Sequence, residues 1–265
     1  IFYTFNPTHK WVKKKFYVPF SEGTLQAPFY FLQALPSDNP FVTAEQWSAW
    51  QLLDPITKGR MIEADWNSFA VKKAFAYSWD DKKHIHKCEY DPSHYLYLSF
   101  DFNRNPMACS VIQFQGNKVR WLEVIKMPNS NIDAMCQMIA QKYPQAVFIC
   151  CGDFAGTQRS GLIPNTDMNS YWKRIKANLR LTDGQLQYIV NPPIEENQVL
   201  LNHCLLHLDV LFDERYCQPA VFDLEFAETM ANGSLKKGDR NDPAQQLDVL
   251  DTIRYFFNRY FGHLI

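Results

Sequence analysis

Four aspartates stand out by the positions that they occupy in the sequence. Asp101 ends an apolar run, and Asp153 follows a second, wholly apolar run at Val147–Cys151 after one intervening glycine. Asp248 and Asp251 are three residues apart in a predicted helix, so their side chains share one face of it. A charge in apolar surroundings needs a partner, and two like charges on one helix face repel unless a cation lies between them. These positions therefore predict a site built from oxygen ligands.

The chemistry that such a cluster favours is metal-assisted hydrolysis of a phosphodiester. Mg²⁺ and Mn²⁺ are hard ions that take carboxylate oxygens, and two of them roughly 3.5–4 Å apart activate a water and stabilise the leaving oxygen. The cluster forms if the strands that end at Asp101 and Asp153 are neighbours and the helix of Asp248 and Asp251 packs across them. Each residue has an ordinary alternative, because an aspartate at a strand end is usually a turn or cap residue and aspartates on a helix face are usually solvated.

A series of strands and helices in the second part of the chain must position these residues. Two short turns join the first three strands, which indicates an antiparallel meander, and a short apolar strand buried on both faces follows after one helix. The predicted strands are Tyr95–Phe102, Met107–Phe114, Val119–Lys126, Val147–Cys151, Leu186–Val190 and Val210–Phe212, and the predicted helices are Asn131–Lys142, Met168–Leu179, Glu195–Leu206, Pro219–Glu228 and Asp242–Tyr260. This order resembles the ribonuclease H-like fold, an α/β fold whose mixed sheet combines a three-strand antiparallel meander with parallel strands and carries helices on both faces.

The first part of the chain has a different pattern and is predicted to be a separate unit. Thr43 is expected to cap a helix that runs through Leu53, with Gln46 three residues later completing a capping box. We place the domain boundary near residue 80, which divides the chain into residues 1–80 and residues 81–265. No P-loop sequence occurs, so a complete P-loop nucleotide site is not expected.

Composition and charge restrict the class of protein. The chain has 265 residues, of which 46% are hydrophobic and 21% charged, as in globular rather than disordered proteins. Its net charge of −1 gives no basic signature of nucleic-acid binding, although metal ions held by clustered acids reverse the local sign. Seven cysteines without a C-x-x-C spacing predict buried free thiols in a reducing cytoplasm. No signal peptide or bilayer-spanning apolar run is found.

Two weaker patterns have ordinary interpretations that we prefer. His203 and His207 have the spacing of a zinc-binding helix but lack the adjacent glutamate of the zinc protease motif. One predicted helix carries a basic run, for which a solvated face is favoured over a DNA-binding surface; its members are Lys173, Arg174, Lys176 and Arg180.

The acidic positions lie in segments that resemble the nuclease domain of tailed-phage terminase large subunits. Tyr97–Pro106 resembles the first-strand motif of that domain, and Gly152–Gly156 resembles its second acidic motif. Arg240–Tyr255 resembles the closing motif, which usually has a histidine three residues before the aspartate, where this chain has Asp248.

Segments of the first part resemble the end of the terminase ATPase domain. Thr4–Pro7 is similar to the motif late in the ATPase core that couples hydrolysis to movement. A stretch similar to the exit from that domain follows, from Asn39–Phe41 through Leu53–Pro55 to Glu63–Trp66. The resemblance thus covers nearly the whole chain in the order of the family, and it implies that residues 1–80 are a C-terminal remnant of the packaging ATPase domain with its linker.

The resemblance implies a two-metal endonuclease that cuts concatemeric viral DNA during genome packaging. Two Mg²⁺ or Mn²⁺ ions would be the cofactors. Asp101 would bridge them, Asp153 would hold one and Asp251 the other, while Asp248 would ligate a metal or orient a water. Without the P-loop, no ATP hydrolysis is expected from this chain.

The resemblance also implies DNA contacts and partners. The candidate DNA-binding residues are Arg104, Asn105, Lys236 and Lys237. The expected partners are double-stranded DNA, the portal protein and the small terminase subunit, with no membrane, in the cytoplasm of a bacterial host.

Two other functions compete with this hypothesis. A resolvase or transposase with the same fold would also need the carboxylates, but it would not be expected to carry the segments in residues 1–66. A docking module that grips DNA or the portal without cutting would tolerate loss of the carboxylates.

Overall fold

The chain forms two compact units, Ile1–Ala74 and Phe75–Ile265, in a computed structural model. The structure describes residues 12–53, 58–59, 61–66, 74–103, 105–127, 129, 131–157, 170–190, 193–230, 235–236, 238 and 247–265, together with residues 4 and 7. Residues 75–80, which the sequence analysis placed before the domain boundary, belong to the second unit.

The first unit consists of short helices and loops around an aromatic cluster. Its elements are a π-helical turn at Lys13–Tyr17, α1 (Val18–Ser21), a 3₁₀ turn at Pro36–Asp38 and α2 (Ala44–Gln51). The predicted capping box is confirmed, because the Gln46 amide donates to Thr43 Oγ1 (3.2 Å) and the Thr43 amide donates to Gln46 Oε1 (3.0 Å). Trp66 is buried and stacks on Tyr17 with 4.7 Å between ring centroids.

The second unit is built on one six-stranded mixed sheet. Its strands are β1 (Ile85–His86), β2 (Leu96–Asp101), β3 (Met107–Gln115), β4 (Lys118–Met127), β5 (Phe148–Gly152) and β6 (Asp209–Asp213). They lie in the order β1-β6-β4-β3-β2-β5. The predicted meander is confirmed, because β3 pairs antiparallel with both β2 and β4, and the other neighbours pair in parallel.

Helices cover both faces of this sheet, which confirms the predicted ribonuclease H-like fold class. The helices are α3 (Asp81–His84), α4 (Ile132–Lys142), α5 (Tyr171–Asn178), α6 (Ile194–His207), α7 (Gln218–Phe226) and α8 (Asp248–Phe261). One core cluster joins α4 and α5 to the sheet, and a second joins α6, α7 and α8 to it.

Strand β2 shows how the alternation of side chains supplies both cores. Leu96, Leu98 and Phe100 point into the cluster with α4 and α5. The intervening residues face α8. Tyr97 packs against the core cluster that contains α6, α7 and α8, and Ser99 Oγ donates to the Thr252 carbonyl of α8 at 2.6 Å. Because side chains alternate along a strand, Asp101 lies on the α8 side as well.

Two predicted elements differ from the observed ones. The predicted strand at Leu186–Val190 makes only isolated parallel bridges, from Leu186 to Cys150 and from Ile189 to Asp153. Helix α8 begins at Asp248 rather than Asp242, and Leu247 immediately before it has a left-handed φ of 54°. A residue in that conformation does not continue a right-handed helix. Residues 241–246 lie outside the described part.

The cysteines and the apolarity of the helices bear on two further predictions from the sequence. All seven cysteines are unpaired, and every one except Cys88 is buried, which confirms the prediction of free thiols. Among the helices that the structure describes, none is long and apolar enough to cross a bilayer.

Candidate active site

Asp101 and Asp153 lie at the carboxyl ends of two neighbouring parallel strands. In the register of β2 and β5, Phe100 pairs with Gly152, and the two aspartates are the next residues on each strand. Adjacent strands are about 4.8 Å apart, so the two backbones are close at this edge of the sheet. The first of the two conditions for the predicted cluster, neighbouring strands, is therefore met.

Asp248 is brought to Asp101 by the side chain of Asn103. The Asn103 Nδ2 donates to Asp101 Oδ2 at 2.5 Å and to Asp248 Oδ1 at 3.0 Å. The two carboxylate oxygens are thus no further apart than the sum of these distances. Asp101 is 7% exposed and Asp248 is 3% exposed, so two buried carboxylates converge on one donor. Asn103 lies within the Tyr97–Pro106 motif, whose pattern predicts no role for its side-chain amide.

Asp251 lies three residues further along α8 and is paired with Arg254. The Arg254 guanidinium donates to Asp251 Oδ1 across three residues of the helix, and both side chains are buried. Arg254 Nε is buried and has no hydrogen-bond partner among the described residues. Asp248 and Asp251 are both in the first turn of α8, where the helix dipole favours negative charge.

The backbone around Asp153 is held in place from two sides. The indole Nε1 of Trp172 donates to the Asp153 carbonyl at 2.9 Å, and the Ile189 amide donates to the Gly152 carbonyl at 3.1 Å. The Asp153 side chain itself is half-buried, and its Oδ1 accepts a bond from the Ala155 amide at 2.9 Å. This hydrogen bond is typical of an aspartate that stabilises a turn, the ordinary role of an aspartate at a strand end. The same residue directly follows β5, beside Asp101.

Two glycines allow this close packing. Gly152 has φ +149°, and a Cβ there would lie 2.5 Å from the Phe100 carbonyl oxygen. A Cβ on Gly156 would collide with the ring of Phe102 and lie 2.7 Å from Trp172 Nε1. The two strand ends can approach each other only because neither position has a side chain.

Sequence analysis missed Asp223, a buried carboxylate on α7 next to the candidate site. Its Oδ2 accepts bonds from the backbone amides of Val249 (3.1 Å) and Leu250 (3.0 Å) in the first turn of α8. Burial raises the pKa of Asp223 to about 7; the Leu250 amide and Lys126 oppose the shift, and the charge of Asp248 adds to it. The sequence carried only a weak signal for Asp223, because Glu225 lies two residues away in the same predominantly apolar helix.

The donor set suits a divalent cation but is incomplete as it stands. Asp101 and Asp248 offer hard oxygen ligands in a buried position, which is what Mg²⁺ or Mn²⁺ takes. Among the residues that the structure describes, however, no group of three or more histidine, cysteine, aspartate or glutamate side chains is arranged to hold a metal. Asp153 lies beside Asp101 in the sheet, but its carboxylate accepts from the Ala155 amide. Asp251 lies near Asp248 in α8, but its carboxylate accepts from Arg254.

Of the four residues predicted to contact DNA, the structure describes Asn105 and Lys236, and each has a partner within the chain. Asn105 Oδ1 accepts a bond from the Asn129 amide at 3.3 Å, and Lys236 Nζ pairs with Glu228 at 2.7 Å. Arg104 and Lys237 lie outside the described residues, as does the closing-motif segment 240–246.

Acidic partners neutralise much of the basic run on α5. Arg174 pairs with Asp133 of α4, and Lys176 pairs with Asp183 at 2.5 Å. These ion pairs favour the interpretation of the basic run as a solvated face over a DNA-binding surface. On α6, the rings of His203 and His207 have centroids 4.5 Å apart, and no third metal ligand joins them in the described part of the chain.

The architecture is shared with phage large terminases. The large terminase of a thermophilic bacteriophage covers 96% of this chain with a TM-score of 0.52 at 13% sequence identity, and the chain spans 61% of that protein's length. The same terminase in complex with ATP-gamma-S gives a TM-score of 0.51 at 13% identity, with 96% of this chain and 62% of that one covered. The nuclease domain of the P22 large terminase, at 14% identity and a TM-score of 0.48, covers 69% of this chain and 91% of its own.

The likeness to the thermophilic-phage terminase confirms the expected resemblance at the level of the fold. No family model matches the sequence, and no curated protein matches it significantly. At 13% identity the likeness to the thermophilic-phage terminase shows the fold alone, so the function must be argued from the residues of this chain.

Proposed function

We propose that this chain is the metal-dependent DNA endonuclease part of a phage genome-packaging terminase large subunit. The observation that carries the proposal is the convergence of two buried carboxylates, Asp101 and Asp248, on Asn103 at the carboxyl edge of the sheet. Burying two like charges together is costly unless a cation compensates them. The fold shared with the large terminase of the thermophilic phage supports the same function.

In this proposal Asp101 and Asp248 would hold a divalent metal ion, and Asp153 and Asp251 would complete the site. Bound divalent ions would lower the pKa of a water and stabilise charge on the leaving oxygen of the phosphodiester. Asn103 fixes the direction of both central carboxylates by donating to each of them. Arg254 pairs with the Asp251 carboxylate in the first turn of α8, and a metal ion bound by Asp251 would replace this ion pair.

The remaining parts of the function are proposals of the same kind. Residues 1–80, of which 75–80 lie in the second unit, would be the end of the packaging ATPase domain with its linker. The substrate would be concatemeric double-stranded DNA, and the portal and small subunit would be partners. Arg104, Asn105, Lys236 and Lys237 would contact DNA, and binding would need Lys236 to exchange Glu228 for phosphate.

The test is cleavage of supercoiled plasmid with Mg²⁺, Mn²⁺ or EDTA. We expect nicking and linearisation that depend on the metal and that fall at least ~100-fold in Asp101→Asn and in Asp248→Asn, since each removes a charged ligand. Asp213→Asn is the matched control, because Asp213 is also a buried aspartate at a strand end, but on β6, separated from β2 by two strands. It should retain cleavage.

Two results would count against the proposal. Cleavage that survives Asp101→Asn would place the active site elsewhere. DNA binding in gel shifts without cleavage in either metal would favour the docking module, which does not need the carboxylates.

A further inference from the structure

Helix α8, which carries Asp248 and Asp251, has no cap of its own. Leu247, the N-cap residue, has a left-handed conformation. Its side chain is apolar and accepts no hydrogen bond from the amides of the first turn. The first backbone amides of a helix have no partner within it and need an acceptor from elsewhere. At the start of α8 this acceptor comes from a different helix.

The acceptor is the carboxylate of Asp223 on α7. One oxygen, Oδ2, accepts from both Val249 (3.1 Å) and Leu250 (3.0 Å), and the residue is only 3% exposed. Val249 directly follows Asp248, so the capped amides and the Asp248 side chain belong to the same helical turn. Any rotation of that turn about the helix axis would move the Asp248 carboxylate relative to Asn103.

Packing and charge place Asp223 beside the same carboxylates. Helix α7 packs on α8 through buried apolar residues, including Leu224 and Leu250. The charges of Lys126 and Asp248 both act on Asp223, so its carboxylate shares an electrostatic environment with the candidate site. Hydrogen bonds that backbone amides donate to charged acceptors are among the stronger ones in proteins.

We infer that Asp223 is a positioning residue of the nuclease site: it caps α8 through the Val249 and Leu250 amides and thereby sets the direction of Asp248 toward Asp101. This inference rests on the proposed function, because it treats Asp248 as a metal ligand. Asp223 does not touch the substrate or the metal. It acts through the backbone of the helix that carries two of the four candidate ligands.

The test compares three substitutions at position 223 in the full chain. Asp223→Ala removes the acceptor. Asp223→Asn keeps a side-chain oxygen at the same distance from the backbone, and that oxygen can accept both amide bonds. Asp223→Glu keeps the charge but displaces it by one methylene. A charge effect would make glutamate the better replacement, whereas a cap of fixed geometry would make asparagine the better one.

The readouts are Mn²⁺ affinity by electron paramagnetic resonance, plasmid cleavage, and hydrogen exchange of the α8 amides without metal. We expect Asp223→Ala and Asp223→Glu to weaken Mn²⁺ binding about 10–100-fold, as for other residues that orient metal ligands. The exchange of the Val249 and Leu250 amides should accelerate in both. Asp223→Asn should stay within about threefold of the wild type in all three measurements.

Val221→Ala is the control for simple destabilisation. Val221 is on the same helix, is 2% exposed, and packs without contributing to the cap. It should lower the melting temperature and leave Mn²⁺ affinity unchanged in the folded protein. If Asp223→Ala does not fold, the order of Asp223→Asn and Asp223→Glu still decides the question.

The possible failures are distinguishable. A wild type that neither binds Mn²⁺ nor cuts DNA overturns the proposed function and this role with it. A wild type that binds and cuts, while Asp223→Ala and Asp223→Glu do the same as well, overturns only the positioning role. Equal losses in Val221→Ala and Asp223→Ala also overturn it, because they show a general loss of stability.

Discussion

The buried carboxylate of Asp223 should make the stability of the second unit depend on pH in an unusual direction. Its pKa is about 7 in the folded chain against an ordinary value of 3.8. The folded state therefore binds the proton more tightly than the unfolded state. The resulting stabilisation is fully present below about pH 4 and is lost as the pH rises to about 7, which is the reverse of the usual behaviour of a carboxylate.

The size of the effect follows from the shift. A difference of about 3 units, at about 1.4 kcal/mol per unit, gives about 4 kcal/mol of stability lost between pH 4 and pH 8. Asp223→Asn cannot titrate and keeps the same shape. Measured against it, the wild type should therefore lose about that much unfolding free energy over the same range, because the other titrating groups are common to both chains.

The measurement is urea unfolding in EDTA at several pH values, followed by hydrogen exchange of α8 peptides. A local readout is needed because a chain with two compact units need not unfold in one step. EDTA is needed because a cation near Asp248 would change the charge that Asp223 experiences. A free-energy difference between the two chains that stays constant from pH 4 to pH 8 would refute this reasoning.

Two further substitutions test the packing around the site. Gly156→Ala should destabilise the chain by about 1–3 kcal/mol, because the new methyl group collides with the ring of Phe102; Gly184→Ala, which meets open space, should change the melting temperature little, and equal effects of the two would contradict the prediction. Arg254→Ala should cost about 3–5 kcal/mol in urea unfolding, because it leaves the buried Asp251 carboxylate without its guanidinium partner. A loss no larger than that of an exposed ion pair, about 1 kcal/mol or less, would show that other contacts of Asp251 compensate.

The ion pair between Asp251 and Arg254 bears on how the proposed site would work. A carboxylate held by a buried guanidinium is already compensated in part, so a metal ion there replaces an existing ion pair. Metal binding at Asp251 would have to compete with Arg254. The central pair of carboxylates is therefore where the proposal is best tested first.

Local patterns were sufficient to predict most of the second unit. Alternation and short turns predicted β2, β3 and β4, with ends within two residues of those observed. The apolar spacing of α4 was equally clear. The structure adds that Asn131 caps this helix, because its side chain accepts from the Ala134 amide. Such features depend on residues close in the chain, which the sequence displays directly.

The prediction failed where a distant segment supplies the reason for a local structure. The Leu186–Val190 segment has the composition of a strand, and its Gln187 and Ile189 amides donate to carbonyls of β5, yet it forms isolated bridges rather than a continuous ladder. Helix α8 begins at Asp248, directly after the left-handed Leu247, and the acceptor on α7 that serves its first turn is 25 residues away in the sequence from Asp248. Helix propensity does not report such a partner.

The sequence by itself determined which residues end strands and which share a helix face, and so it supplied Asp101, Asp153, Asp248 and Asp251 as candidates. Only the tertiary structure decided which of them meet. The order of strands and the crossing of α8 over β2 brought Asp101 and Asp248 together through Asn103, and local packing gave Asp251 to Arg254. The physical reason is that periodicity fixes the direction of a side chain along its own element, whereas its partners are set by long-range packing between elements.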